Sequence, residues 1–275
     1  MYSSFTAVAA ITAAAILVGA GILHLIPRLG RAGRALSGAL CRAPLLDIPV
    51  TYFTVAPLVY GPIAAGWRGL GGAIVGQLAG LIVWTLVHET FNPQVRRQPR
   101  IISVLNRRVG AVRNLAAVYW TAWVVPLFWL VRMAEIFIYP ALVWLVDFPR
   151  YRHADWVNVS RHKFSGLVGH DLIWCLYCDW MTGVWSLGGE MLRNVESFWC
   201  PIRFYDGKKC ENCAIDFPDV NNGWVPAGGT IADVAAKLEQ MYPPEQHPAA
   251  WYGHPVRMTI KGRSDREPGT DNPSA

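Results

Sequence analysis

The chain has 275 residues, a formal net charge of +6, 53% hydrophobic residues and only 16% charged ones. So few charges exclude an ordinary soluble domain of this size. Residues 1–150 hold 13 arginines, no lysine and 4 acidic residues, a formal +9, whereas residues 151–275 carry a formal −3. The arginines cluster in loops between apolar stretches, where anionic headgroups and topology signals account for them, so no nucleic-acid surface is expected.

The N-terminus is apolar, lacks a positive leading region and is followed by Arg28, Arg31 and Arg34. This predicts a first transmembrane helix over about 5–26 rather than a cleaved signal. The basic, Gly-rich stretch to Arg42 is suited to lie along the headgroups. A second segment, about 50–67, contains Pro57 and Pro62, which a bilayer helix tolerates only where neighbours cover the freed carbonyls. A turn at Arg68-Gly69 leads to a third segment, about 70–87. Its Gly72, Gly76 and Gly80 recur every fourth residue and predict a smooth face for close helix contact.

An arginine-rich loop follows (Arg96, Arg97, Arg100, Arg107, Arg108, Arg113). The apolar stretch 115–148 is long for one crossing and short for two, and is interrupted by Arg132 and Glu135. The distribution of arginines favours two short passes or a bent hairpin there, with the N-terminus outside. Arg132 and Glu135, three apart, are placed to pair.

From Tyr151 the texture becomes mixed, with short helices expected near 166–182 and 184–198. A clear amphipathic helix is expected over 230–241, capped by Thr230 with Asp233 and stopped by Pro243-Pro244. The tail 261–275 is polar and aperiodic, and disorder is expected.

Five cysteines fall in one stretch: Cys175, Cys178, Cys200, Cys210 and Cys213, spaced C-x2-C-x21-C-x9-C-x2-C. Two C-x2-C pairs closing on each other make a four-thiolate cage, so these five are the candidate metal ligands. Cys41 stands apart. Three chemistries compete. The first is an iron–sulfur or mononuclear iron centre. Cys200-Pro201 is similar to the end of a bacterial ferredoxin run, and the separation of the pairs is similar to rubredoxin, although the knuckle glycines and prolines are missing. The second is a structural zinc site from Cys175, Cys178, Cys210 and Cys213. The third is a dithiol, since Trp174-Cys175-Leu176-Tyr177-Cys178 resembles a thioredoxin-type motif without its βαβ setting.

The expected fold is mainly α: a polytopic membrane domain of about four to five segments over 1–149, a small cysteine-rich, loop-rich, metal-stabilised module over 150–260, and a disordered tail over 261–275. The expected protein is integral to the cell membrane with its module cytoplasmic. It contacts lipid and a membrane-protein or redox partner through that module. Its expected role is an accessory electron-transfer subunit. The alternatives are a zinc-stabilised scaffold or assembly factor and a membrane-bound dithiol oxidoreductase.

Overall fold

The computed structural model describes residues 4–96, 99–146, 148–216 and 223–241. The tail expected to be disordered lies outside them. The described chain is helical, with two isolated bridges and no sheet. It forms two compact units, Met1–Trp129 with Val157–Gly183, and Leu130–Trp156 with Val184–Ala275. Three helical runs are long and apolar enough to cross a membrane: Ser4–Arg28, Asp47–Thr90 and Ala111–Val146.

The first unit is built on a three-helix bundle. α1 (Ser4–Leu25) is followed by a 3-10 turn (Ile26–Arg28) and a short helix, α2 (Gly30–Leu40). The run α3 (Asp47–Thr90) is two helices joined at Ala65 and Gly66, where the backbone leaves helical geometry. Gly66 takes φ +56°, a region glycine enters without a Cβ penalty. The reversal therefore falls at Ala65-Gly66, upstream of the expected Arg68-Gly69.

The two arms of α3 run antiparallel and are very close. A Cβ at Gly61 would stand 2.7 Å from the Gly69 carbonyl oxygen. Gln77 Nε2 donates to the Phe53 and Thr54 carbonyls at 3.0 and 2.8 Å. Phe53 is four residues before Pro57, so its carbonyl is the one that Pro57 leaves without a helical donor. Gln77 supplies the covering group that a proline inside an apolar helix requires.

α1 runs parallel to the second arm. Gly72 faces Val8, Gly76 faces Ala9 and Thr12, and Gly80 faces Ile16. The glycine stripe thus packs on a helix of the same chain. α1 is antiparallel to the first arm: Tyr52 donates to the Ala15 carbonyl at 2.7 Å, and Thr12 Oγ1 meets the Tyr60 hydroxyl. Outward side chains such as Ile11, Val18, Ile63 and Trp67 are apolar and exposed, as lipid-facing positions are.

One end of this bundle is elaborated. It carries the 26–46 connection, the end of the second arm, α4 (Pro93–Arg96), α5 (Ile101–Val109) and α6 (Ala111–Thr121). Residues 157–159 also join it: Ala43 N–H donates to the Val157 carbonyl and Val159 N–H to the Cys41 carbonyl, both at 2.9 Å.

From Ala111 to Val146 the backbone stays helical through α6, a 3-10 turn (Ala122–Val124), α7 (Val125–Met133), a π-helical turn (Ala134–Ile138) and α8 (Tyr139–Val146). The expected bent hairpin is absent from this run. Pro126 and Pro140 follow the 3-10 and π turns, which take up the missing donor and the ring without a reversal.

α9 (His153–Trp156) is a single turn. The helices expected near 166–182 and 184–198 are one, α10 (Gly169–Trp199). Gly183 costs about 1 kcal/mol in a helix, too little to break one that is packed on both sides. α11 (Gly207–Asp216) and α12 (Ile231–Met241) follow. α12 starts with the expected reciprocal cap: Thr230 N–H and Oγ1 donate to Asp233 Oδ2 at 2.7 and 2.8 Å.

Candidate functional site

Cys175 and Cys178 sit three residues apart on α10, so both thiols lie on one side of the helix, and both are half-buried. A 3-10 turn (Arg161–Lys163) brings Arg161 to them. Asp179, the next residue on α10, holds that turn. Its Oδ2 accepts the Ser160 and Arg161 backbone N–H groups at 2.6 and 3.0 Å, and Arg161 Nε lies 3.7 Å from its Oδ1. Arg161 is in hydrogen-bonding reach of the Cys178 sulfur, the main cause that raises the guanidinium above its usual value. Burial pushes the Cys175 thiol up, and the Arg161 charge opposes it.

The second pair lies on α11 in the other unit. Cys210 is buried against Trp224 and Phe204 and accepts Arg203 Nε–H at 3.2 Å. Lys209 Nζ stands 4.1 Å from the centre of the Phe204 ring. Cys213 is half-buried on the same helix, and Cys200 is exposed just beyond α10. None of the six cysteines is in a disulfide. Among the described residues no three His, Cys, Asp or Glu side chains gather as a metal-ligand group. The first unit holds Cys41, Cys175 and Cys178 and the second Cys200, Cys210 and Cys213, with an arginine beside one thiol of each C-x2-C pair.

Sequence reasoning missed two polar assemblies. At the elaborated end of the bundle, Arg100 bridges Glu89 (2.9 Å) and Asp171 (3.1 Å) and donates to the Val168 carbonyl. Asp171 also accepts the Ile101 and Ile102 N–H groups at 3.1 Å, closing the first turn of α5. His88 Nδ1 accepts the Gly169 N–H at 3.0 Å, and its ring stacks on Trp84 and His24. His170 Nε2 accepts from Trp174 Nε1 at 3.0 Å, a hydrogen bond that holds this histidine one turn before the first cysteine pair. The signal for this assembly in the sequence is the His88-Glu89 pair that ends an apolar segment.

The second unit has a buried polar core. Arg132 and Glu135 are 0% and 2% exposed, and Arg132 Nη1 donates to Glu135 Oε2 at 2.6 Å. The pairing expected from their spacing is present. The same Arg132 nitrogen lies 2.8 Å from His153 Nδ1. A guanidinium only donates, so His153 accepts there as a neutral imidazole. On α10, Tyr151 donates to Glu190, and Asn194 Nδ2 reaches the hydroxyls of Tyr139 and Tyr151 at 3.1 and 2.6 Å. Gly188 lets the Glu135 turn approach: a Cβ there would stand 2.9 Å from Val131 and 3.3 Å from Glu135 Oε1. Arg132 and Glu135 are buried, whereas the cysteine pair on α10 is partly exposed. No family model, curated protein or solved structure matches the chain.

Proposed function

We propose that this chain is an integral membrane protein that works as an accessory electron-transfer subunit through cysteine thiols on its cytoplasmic side. Its N-terminus is outside. α1 and the two arms of α3 cross the bilayer, and the arginine-rich connections meet the cytoplasm. The electron carrier is the Cys175–Cys178 dithiol, whose two thiols give up two electrons and two protons as a disulfide forms. A membrane or redox partner accepts the electrons.

One observation carries this reading: the two thiols share a helix face with Arg161 beside them and Asp179 fixing Arg161 in place. Residues three apart on a helix have Cα atoms about 5 Å apart, inside the Cα range of a disulfide, and a neighbouring cation favours the reactive thiolate. The bundle supports the sidedness, since the 26–46 and 90–101 connections and residues 157–171 belong to one end of it. Thiols there stay reduced unless they are used.

A second reading keeps four of Cys175, Cys178, Cys200, Cys210 and Cys213 as ligands of iron or zinc. It is favoured by the repetition of the arrangement on α11, where Arg203 contacts Cys210.

The test is anaerobic purification in detergent, followed by metal analysis, an absorption spectrum and thiol counting after mild oxidation. Loss of two thiols with a mapped Cys175–Cys178 disulfide, and no metal, supports the dithiol. Stoichiometric iron or zinc lost in both Cys178→Ser and Cys213→Ser replaces it with the metal centre. A sample with neither the disulfide nor stoichiometric metal overturns both readings.

A further inference from the structure

The thiols of Cys175 and Cys178 sit beside a strap of backbone, residues 157–163, that is fastened on both sides. On one side Ala43 N–H donates to the Val157 carbonyl and Val159 N–H to the Cys41 carbonyl, both at 2.9 Å. On the other side Asp179 Oδ2 accepts the Ser160 and Arg161 N–H groups at 2.6 and 3.0 Å. The strap therefore lies between α10 and the 41–43 connection, all within the first unit.

The charges next to the cysteine pair are sorted by sign. The carboxylates of α10 are turned inward. Asp171 is 5% exposed and accepts Arg100 Nε–H and the Ile101 and Ile102 N–H groups. Asp179 is 18% exposed and holds the strap. The cations face outward. Arg161 keeps 44% of its side chain exposed, and Arg42 and Lys163 are exposed. Lys163 and Arg42 both stand near Cys41: burial pushes its thiol up, and the two charges oppose that rise. Partial burial and the Lys163 charge hold His162 below the usual imidazole value, so it adds no charge near neutral pH.

A disulfide that oxidises the pair must bring one sulfur against a thiol, which sets its substituents beside this basic rim. A guanidinium fork matches a carboxylate, and an ammonium adds a point charge. We infer that the electron acceptor of the Cys175–Cys178 dithiol is an acidic disulfide, one with carboxylates near its sulfur atoms, recognised by Arg161, Lys163 and Arg42. The inference rests on the dithiol reading above and names its partner. One thiolate attacks a sulfur of the incoming disulfide, forming a mixed disulfide and expelling the first half as a thiolate. The second cysteine attacks its neighbour's sulfur, which closes the Cys175–Cys178 bond and expels the other half. The two protons lost by the cysteines end on the expelled thiolates. The acceptor, reduced by two electrons, leaves as two acidic thiols.

The test follows oxidation of the reduced full chain in an uncharged detergent, with the Cys175–Cys178 disulfide measured by mass spectrometry after alkylation. The probes are oxidised glutathione, which is anionic, hydroxyethyl disulfide, which is neutral, and cystamine, which is cationic. Each rate is divided by the rate of the same probe with dithiothreitol, which removes its intrinsic reactivity. The expected order is anionic, neutral, cationic, with about tenfold between first and last at low salt. The gap should close between ~0.01 M and ~1 M salt, as the screening length falls from ~30 Å to ~3 Å. Lys163→Glu should slow the oxidised-glutathione reaction more than the hydroxyethyl disulfide reaction. Equal normalised rates, or a lead for cystamine, overturn the inference and leave the dithiol reading standing. A gap that salt leaves unchanged also overturns it, and this measurement on the unsubstituted chain decides should the variant fail to fold. Failure of every probe, the neutral one included, to oxidise the pair removes the dithiol reading itself.

Discussion

Gly76 and Ala9 meet backbone to backbone: a Cβ at position 76 would overlap the Ala9 carbonyl oxygen and stand 2.6 Å from Thr12 Cβ. The contact is possible only because the residue has no side chain, and it sets how closely α1 approaches the second arm of α3. Overpacking of this kind costs about 1–3 kcal/mol, and here the obstacle is backbone that cannot turn aside. Gly76→Val should lower the melting temperature in detergent by several degrees, about 2–4 °C for each kcal/mol in a chain of this size. Gly21→Ala is the control, since nothing stands within 4 Å of a Cβ there, and it should leave the melt unchanged or slightly raised.

Arg132 and Glu135 are a buried ion pair, and the physics of such pairs is asymmetric. Removing one partner strands a charge at a cost of about 3–5 kcal/mol, whereas replacing both with apolar residues of similar size is often close to neutral. Glu135→Leu and Arg132→Met should each lower the melting temperature strongly. The double variant should melt above either single one, retaining a deficit from the lost His153 contact. Equal or additive losses in the double variant would mean that the two side chains act independently.

Asp171 gives the fold an acid-sensitive tie. Burial alone raises its carboxyl, but the His170 ring nitrogen 3.8 Å away and the hydrogen bonds from Arg100 and the Ile102 N–H outweigh that and hold it below the usual carboxylate value. The unfolded chain therefore binds a proton that the folded chain resists. The tie is fully present above the ordinary carboxylate value, about 3.9, and is lost as pH falls below it toward the lower folded value. Asp171→Asn should cost about 2 kcal/mol at neutral pH by weakening the Arg100 and Ile102 contacts. Melts between pH 7 and pH 3 should show a shallower acid decline in the variant than in the unsubstituted chain.

What could be read ahead of the structure followed from local chemistry. The glycine stripe, the Thr230–Asp233 cap and the Arg132–Glu135 spacing are properties of neighbouring residues on one helix, and each reappears in the fold. The reversal at Ala65-Gly66 was displaced by a few residues because Arg68-Gly69 is an equally good local turn. Which glycine takes positive φ is decided by the approach of Gly61 to Gly69. The continuity of α10 through Gly183 and the helical run through Pro126 and Pro140 were hidden, because tertiary packing outweighs single breakers. Arg100, Asp171 and His153 carried no local signal at all, since their partners lie tens of residues away. The cysteine spacing, by contrast, was conspicuous in the sequence, and in the fold each C-x2-C pair lies on a helix with an arginine beside one of its thiols.

That arginine is the handle for the last prediction. Arg161 stands beside the two thiols because Asp179 grips the Ser160 and Arg161 backbone, so the carboxylate acts on them through the cation it positions. Burial raises the Cys175 thiol and the Arg161 charge opposes that rise, so the cation favours the reactive thiolate. Arg161→Ala should therefore slow iodoacetamide modification of Cys175 near neutral pH, and Asp179→Asn should slow it less, since the amide oxygen still accepts one backbone N–H. Arg31→Ala, a substitution in α2, should have no effect. Rates followed by mass spectrometry against pH separate this from a structural disturbance. Loss of the cation moves the rate profile to higher pH and leaves its plateau in place, whereas a distorted helix would change the plateau itself.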